Sequence, residues 1–328
     1  MFTRHCYLYF LLALVLFGLT GCAGMKMTGK GKISEAIFHY DFPQESYGII
    51  ESYRRSNETR PDGLFSSGTR WMQPPTHAKT TSSVFQAAEY LPEREFVLSY
   101  YSKYPDLDRD YNAIPVSVKY LANPWKRKWL HDVNGALHSL HGGGRAAIDA
   151  RRRNIEQALS ESLKDERLDW LSGLLIHAYG DSYVHTKHKA DSAEEKAYGP
   201  LIGHALPSLF GDDPDNMKVP ETKKKYLLFI DKLYSIITRE KDNFSDIFPD
   251  TTGGEEKPSK EFETFRDAIA DYDCNTESCD TFWLDTDPIH QAKLDAFETY
   301  MTALVRPLSE EEIQLAVDLI KGERRLNE

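Results

Sequence analysis

His177, Asp181 and His185 are the residues whose types and spacing point most directly to chemistry. They lie four apart in the otherwise apolar stretch "LLIHAYGDSYVHTKH", residues 174–188. On a helix this spacing places the three side chains on one stripe, about 6 Å apart along the axis. Imidazole and carboxylate groups suit zinc and similar ions, and such groups need partners when buried. The stripe therefore predicts a metal site, with a metal-free His–Asp–His hydrogen-bond network in the core as the alternative.

The elements that must position these side chains are predicted to be helices. Apolar residues recur at helical spacing over residues 145–163, and the stretch that carries the stripe continues as a second helix over 163–186. The segment 94–104 fits either a strand or a tyrosine-rich helix. Further helices are predicted over 223–244, 260–271, 288–305 and 309–323, the last with Ser309 and Glu312 at capping-box spacing, whereas 65–83 and 250–260 are predicted to be irregular. We therefore expect an all-α fold in which one domain covers residues 33–328.

The N-terminus predicts export and a lipid anchor. Its apolar run of about a dozen residues is too short to span a bilayer comfortably but suits a signal peptide. The run ends in "LTGC", which resembles the lipobox of bacterial lipoproteins and implies cleavage after residue 21 and acylation of Cys22. Residues 22–32 would form a tether, and Ala23 favours the outer membrane if the cell is Gram-negative. The alternative is an ordinary signal peptide or membrane anchor in which Cys22 is incidental.

Charge and cysteine content narrow the classes of partner. The formal net charge of −11 argues against non-specific binding to nucleic acid, which needs a basic surface. Cys274 and Cys279, close together in a chain expected to be exported, predict a small disulfide loop, with two metal thiolates as the alternative. The sequence does not determine the oligomeric state.

A wider pattern carries a family resemblance. His39, the acids of "DLDRD" (residues 106–110), His138 or His141, the triplet, and then "GH" at 203–204 and "PD" at 214–215 occur in this order. With its His-x-x-x-Asp-x-x-x-His helix, the chain resembles the superfamily of zinc-dependent phospholipases C and fungal zinc nucleases. The nearest pattern is that of the bacterial branch related to the heterokaryon-incompatibility C proteins. The resemblance spans residues 39–215, and the segment after 245 has no counterpart.

The resemblance implies a multi-helix phospholipase C/nuclease-like bundle with one to three zinc ions in a cleft. It also implies phosphodiester hydrolysis by a metal-bound hydroxide, because zinc lowers the pKa of bound water to about 7. Either Asp41 or Asp110 is the expected acid that orients the water. Which of Asp106, Asp108 and Asp110, and which of His138 and His141, point inward stays open. The implied metal ligands are His39, Asp106, Asp110, His138, His141, His177, Asp181, His185 and His204.

Three functions are compatible with these features. The first is a membrane-tethered, zinc-dependent phosphodiester hydrolase, with phospholipid head groups as the expected substrate because the tether places the site beside lipid. The second is a non-catalytic metal-binding envelope lipoprotein with a structural or interaction role. The third is a metal-free helical lipoprotein. An open coordination position distinguishes the first from the second, because structural zinc sites are closed.

Overall fold

The computed structural model describes residues 74–199, 219–244, 258–271 and 307–327. These residues are mostly helical with a single two-stranded sheet, which confirms the all-α prediction. Several sequence predictions lie outside the described residues: the signal peptide with Cys22, the candidates His39, Asp41 and His204, the pair Cys274 and Cys279, and the helix over 288–305.

The described residues form nine α-helices and one short antiparallel pair of strands, Thr186–Lys187 (β1) and Lys196–Ala197 (β2). The helices are α1 Pro74–Ala87, α2 Pro92–Leu107, α3 Ala113–Ala122, α4 Arg127–Leu137, α5 Arg145–Ser162, α6 Asp169–Val184, α7 Pro220–Phe244, α8 Lys260–Asp271 and α9 Glu310–Lys321. None of these described helices combines the length and the apolar character needed to cross a bilayer.

Helix α6 is the centre of the bundle. All of its residues are buried, and α2, α4, α5, α7 and α9 pack around it. Its leucines and Ile176 belong to one hydrophobic core cluster that also contains side chains from the surrounding helices. A helix that is apolar nearly all round is stable only in such a position. The polar stripe of the sequence therefore faces the interior.

Helices α2 and α6 approach each other closely at Gly173. A Cβ atom there would lie 2.5 Å from the Cβ of Tyr101, 2.9 Å from the carbonyl oxygen of Leu98 and 3.0 Å from the amide nitrogen of Ser102. At its start, α6 is tied to α2 by a buried ion pair, in which Arg94 Nη2 lies 2.7 Å from Asp169 Oδ1. Together these contacts fix how α2 lies along α6.

The helices predicted over 145–163, 163–186, 223–244, 260–271 and 309–323 are observed as α5 to α9, with differences at their ends, whereas α3 and α4 were not predicted. Residues 94–104 are helical, within α2. The helix predicted over 163–186 begins only at Asp169, after a 3-10 turn over Glu166–Leu168 in which Asp165 caps the amide of Arg167. The capping box of Ser309 and Glu312 is confirmed at the start of α9.

The prediction of irregular structure over 65–83 is wrong from Pro74 onward. Both prolines lie in the first turn of α1, where amide groups have no partner within the helix and proline is tolerated. The serine and threonine side chains that follow are buried and form hydrogen bonds, for example from Thr81 Oγ1 to the carbonyl of His77 and between Thr80 and Tyr226. Hydroxyl groups satisfied in this way pack in a helical core.

Candidate metal centre

The triplet from the sequence meets at the C-terminal end of α6. His177 and Asp181 lie within the helix, and Asp181 Oδ2 is 3.3 Å from His177 Nε2. His185 is the C-cap residue rather than a helical one, and its Nδ1 lies 3.5 Å from the same carboxylate oxygen. All three side chains are buried. The spacing of four therefore brings His177 and Asp181 together as the sequence indicated, whereas His185, predicted as a third ligand, lies beside the same carboxylate but outside the groups of ligand atoms that could hold an ion.

Three other helices bring further ligand groups to this point. His77 comes from α1, Asp106 from the last turn of α2, and His138 from the C-cap of α4. Their ligand atoms join those of α6 in two overlapping groups, His77 with His177 and Asp181, and Asp106 with His138 and His177; within each group the atoms lie within 4.8 Å of one another. We call these five side chains the His/Asp cluster. The cluster could hold a metal ion.

Three atoms of the cluster form a nearly equilateral triangle. His177 Nε2 lies 3.3 Å from His138 Nδ1 and 3.3 Å from Asp181 Oδ2, and His138 Nδ1 lies 3.5 Å from Asp181 Oδ2. Two ligands bound to one tetrahedral zinc at about 2.0–2.1 Å are about 3.3 Å apart. The triangle thus has the dimensions of one face of a zinc coordination tetrahedron.

The second oxygen of Asp181 faces His77. Asp181 Oδ1 and His77 Nε2 are 3.4 Å apart, and both atoms are buried without a hydrogen-bond partner. Asp106 completes this side of the cluster, with Oδ2 3.8 Å from His77 Nε2 and Oδ1 3.7 Å from His138 Nδ1. A buried polar atom without a partner costs about 1–3 kcal/mol, and a bound cation would provide the missing partner for both atoms.

Backbone carbonyls orient the imidazole rings. His177 Nδ1 donates to the carbonyl oxygen of Ser102 at 2.8 Å, and His138 Nε2 donates to that of Tyr111 at 2.8 Å. These bonds place the protons on the outer nitrogens, so that the lone pairs of the inner nitrogens point into the cluster. Metal-binding histidines in proteins usually have this arrangement, in which a second hydrogen bond fixes the tautomer.

The loop that carries His138 is itself held in place. Ser139 Oγ donates to the carbonyl of Ala178 in α6 at 2.8 Å, and the amide of Gly142 donates to the carbonyl of Tyr198 beside β2. Tyr198 in turn donates its amide to the carbonyl of His185 at 3.0 Å. His185 Nδ1 donates to the carbonyl of His138 at 2.7 Å, so this side chain links the loop to the end of α6.

Burial and neighbouring charges shift the pKa values of the cluster residues in opposite directions. Burial raises the pKa of the Asp181 carboxyl, but protonation of the surrounding imidazoles has the opposite effect: the charges of His185 and His177, and the hydrogen bonds that His138 and His177 donate when their inner nitrogens are protonated, hold the pKa well below its usual range. Burial, and the neighbouring His77, lower the pKa of His177. For His138, burial lowers the pKa, yet the hydrogen bond that the protonated ring donates to Asp181 and the charges of Asp106 and Asp181 outweigh it and leave the pKa raised.

These shifts describe a site that attracts positive charge. Asp181 remains ionised although it is buried, and His138 takes up a proton readily when no other cation is present. A divalent ion is the alternative source of positive charge, because it binds the carboxylates and the inward lone pairs of neutral histidines at once. The chemistry of these groups, two carboxylates and three imidazoles, suits zinc and similar ions.

The structure separates the alternatives that the sequence left open. Asp106 joins the cluster, whereas Asp110 is exposed and pairs with Lys119, so Asp110 is placed away from the metal-ligand and water-orienting positions proposed for it. Asp108 accepts hydrogen bonds from Tyr104 and from the amide of Asp110 in the turn after α2. His138 joins the cluster, whereas His141 lies outside it. Burial and the charge of Arg151 lower the pKa of His141 to about 4.

His77 is the cluster residue that the sequence reasoning missed. It lies in the segment wrongly predicted to be irregular, and its side chain is only 4% exposed. The signal was present in the sequence: Ala78 and Phe85 are seven residues apart, as are His77 and Val84, so these four residues share one face of a helix that the two preceding prolines can open. On that helix His77 lies next to Ala78 on the buried face.

Comparison of the chain with protein-family models, with curated proteins and with solved structures gives no significant match.

Proposed function

We propose that this protein is a membrane-tethered, zinc-dependent hydrolase of phosphodiester bonds, with phospholipid head groups as its substrate class. The observation that carries the proposal is the convergence of five ligand side chains, four of them buried, from four helices, with the inner imidazole nitrogens turned toward two carboxylates. The tether follows from the lipobox resemblance at Cys22, and the phosphodiester class from the resemblance to the phospholipase C and zinc-nuclease superfamily.

The number of ligands supports a site with catalytic capacity. A structural zinc site is closed by four protein ligands, whereas the cluster offers five side chains, two of them carboxylates that can bridge neighbouring ions. The triangle of His138, His177 and Asp181 fits three ligands of one ion and leaves the fourth position to be filled. These residues would hold a zinc ion there, and its chemistry would be to lower the pKa of a water molecule to about 7, which suits hydrolysis at neutral pH.

The residues of the chain have separate tasks in this proposal. His177 and His138 keep their lone pairs directed inward because the carbonyls of Ser102 and Tyr111 hold their outer nitrogens. Asp181 stays ionised and supplies negative charge. Asp106 is the most exposed of the five cluster residues: its side chain is 14% exposed, and the other four side chains are at most 3% exposed. Asp106 therefore marks the side from which a phosphate ester would approach.

The burial of the cluster favours one other candidate function. His77, His138, His177 and Asp181 are each at most 4% exposed. An ion bound among them would hold α1, α4 and α6 together, as a structural zinc does. In that case the protein would be a non-catalytic metal-binding lipoprotein of the cell envelope, and its cluster would bind metal without turnover.

The test uses the full chain purified in detergent, with Asp106→Asn and Asp110→Asn as a matched pair of variants. The two acids lie in one short run, but only Asp106 belongs to the cluster. We expect the wild type and Asp110→Asn to contain zinc and to hydrolyse bis(p-nitrophenyl) phosphate and p-nitrophenylphosphorylcholine, and Asp106→Asn to lose most of the activity. Zinc without hydrolysis of either ester would favour the structural site. A wild-type chain without metal would refute both readings.

A further inference from the structure

The tip of the α3–α4 hairpin carries an exposed tryptophan. Trp125 lies in "NPWKRKW", residues 123–129, between the end of α3 and the start of α4. Its side chain is 94% exposed, more than any other exposed large apolar side chain in the described part of the chain. An indole ring combines a large apolar body with one N–H group, and tryptophan is enriched at interfaces where one end of the side chain is apolar and the other is hydrated.

The tip has a defined conformation. Asn123 Oδ1 accepts hydrogen bonds from the amide of Trp125 at 3.2 Å and from the amide of Lys126 at 3.3 Å. Pro124 fixes one backbone angle between them. The exposure of Trp125 is therefore a property of an ordered turn, and the indole ring is presented outward before any partner binds.

Three basic residues follow the tryptophan directly, in a chain whose net charge is −11. Arg127 is held along Tyr120, with its Nε donating to the carbonyl oxygen of that residue. Two acids from outside the tip lie against its lysines: Glu310 lies 3.0 Å from Lys126, and Asp132 lies 2.8 Å from Lys128. Lys321 binds Asp132 as well, at 3.2 Å, and Glu323, at 2.8 Å. Residues 123–128 themselves carry three basic side chains and no acidic one.

We propose that this hairpin tip, residues 123–128, docks onto a lipid bilayer that contains anionic head groups. An indole ring favours the membrane interface, because its apolar body and its N–H group each find a matching environment there. Lysine and arginine beside it gain from the negative surface potential of anionic lipid, and their long side chains reach the head groups while their stems stay near the apolar layer.

The tip lies at the far end of α4 from the His/Asp cluster. Helix α4 has 11 residues, which corresponds to a length of about 16 Å, and His138 caps its other end. Docking through Trp125 would orient the bundle relative to the bilayer and keep the cluster about one helix length from the tip. This inference goes beyond the hydrolase proposal and does not depend on it, because docking requires neither metal nor turnover.

The test measures the depth of Trp125 in the membrane. The full chain is reconstituted into vesicles of equimolar phosphatidylcholine and phosphatidylglycerol whose phosphatidylcholine is brominated in its acyl chains, and quenching of tryptophan fluorescence is recorded. We expect Trp125→Phe to remove most of the quenching, whereas Trp170→Phe, at a buried position, should leave the quenched intensity unchanged. Quenching should weaken in vesicles of brominated phosphatidylcholine alone and in the Arg127→Gln/Lys128→Gln variant.

Two results would overturn the proposal. Equal quenching in the wild type and in Trp125→Phe would mean that the indole ring stays in water. Protection of Trp125 from acrylamide in detergent without vesicles, increasing with protein concentration, would mean that a second copy of the chain covers the tip instead. Because Trp125 is exposed and its side chain supports no other element, its replacement by Phe should leave the fold intact, which circular dichroism checks.

Discussion

The Nε2 atom of His177 and the Nδ1 atom of His138 face each other across 3.3 Å, although each ring already donates from its other nitrogen to a backbone carbonyl. If both rings are neutral, two lone pairs meet at this distance, and each also faces the carboxylate of Asp181. A cation between them removes that repulsion. A proton on His138 removes part of it but leaves His77 Nε2 and Asp181 Oδ1 without partners.

From this relationship we expect a chelator to lower the melting temperature of the chain. A ligand that binds only the folded state at a hundred times its dissociation constant stabilises that state by about 2.7 kcal/mol, so loss of the metal should cost a few kcal/mol. His77→Ala should bind less metal and respond less to the chelator. His131→Ala, at an exposed histidine outside the cluster, should respond like the wild type. An unchanged melting temperature in the wild type would contradict this expectation.

The close approach of α2 and α6 predicts that Gly173→Ala is destabilising. The added methyl group would lie 2.5 Å from the Cβ of Tyr101 and 2.9 Å from a backbone oxygen, and overpacking of this kind costs about 1–3 kcal/mol. A movement of α2 that makes room for the methyl group would also move Ser102, whose carbonyl orients His177. Gly199→Ala is the control, because a Cβ there meets nothing within 4 Å. Urea unfolding measures both; equal stability of the two variants would show that α2 moves aside at little cost.

The pKa of His141 gives a prediction about acid. Burial and the charge of Arg151 lower this pKa from 6.5 to about 4. Between these values the unfolded chain binds a proton that the folded chain does not, so acidification favours unfolding. The stability that this residue contributes is complete above pH 6.5 and is lost as the pH falls toward 4, by up to about 3 kcal/mol.

His141→Asn should therefore lose less stability between neutral pH and pH 4 than the wild type does, as measured by urea unfolding at several pH values. All other titratable groups are the same in both proteins, so the difference between the two curves isolates His141. Parallel curves for the wild type and His141→Asn would show that this imidazole is protonated as easily in the folded chain as in the unfolded one.

The buried pair of Arg94 and Asp169 predicts a non-additive response to mutation. Arg94→Met leaves the Asp169 carboxylate buried without its bidentate partner, which typically costs about 3–5 kcal/mol. Asp169→Leu in the same chain removes the stranded charge, and the double variant should recover a large part of the loss. The free energies of unfolding of both single variants and the double variant test this. A double variant as unstable as the sum of the single variants would mean that the two side chains do not act as a pair.

The local pattern of apolar and polar residues was sufficient to predict much of the helical framework. The helix predicted over 260–271 matches α8, and the one over 145–163 ends one residue early as α5. The capping box at Ser309 also formed, because its hydrogen bonds involve only residues within one turn. In α1, local composition was misleading: a segment rich in serine, threonine and proline forms a helix because its hydroxyl groups find partners in the core, and some of those partners are distant in the chain.

For the cluster, the spacing of four determined that His177 and Asp181 share one face of α6, since helical geometry alone requires it. Only the tertiary structure decided which residues join them. Helix α2 ends at Leu107, so Asp106 in its last turn points inward while Asp110 lies in the exposed turn beyond. Beyond His138 the backbone reverses through positive φ angles at Ser139 and Gly142, and His141 is carried away from the cluster. Contacts between helices far apart in sequence determine these choices, and periodicity contains no information about them.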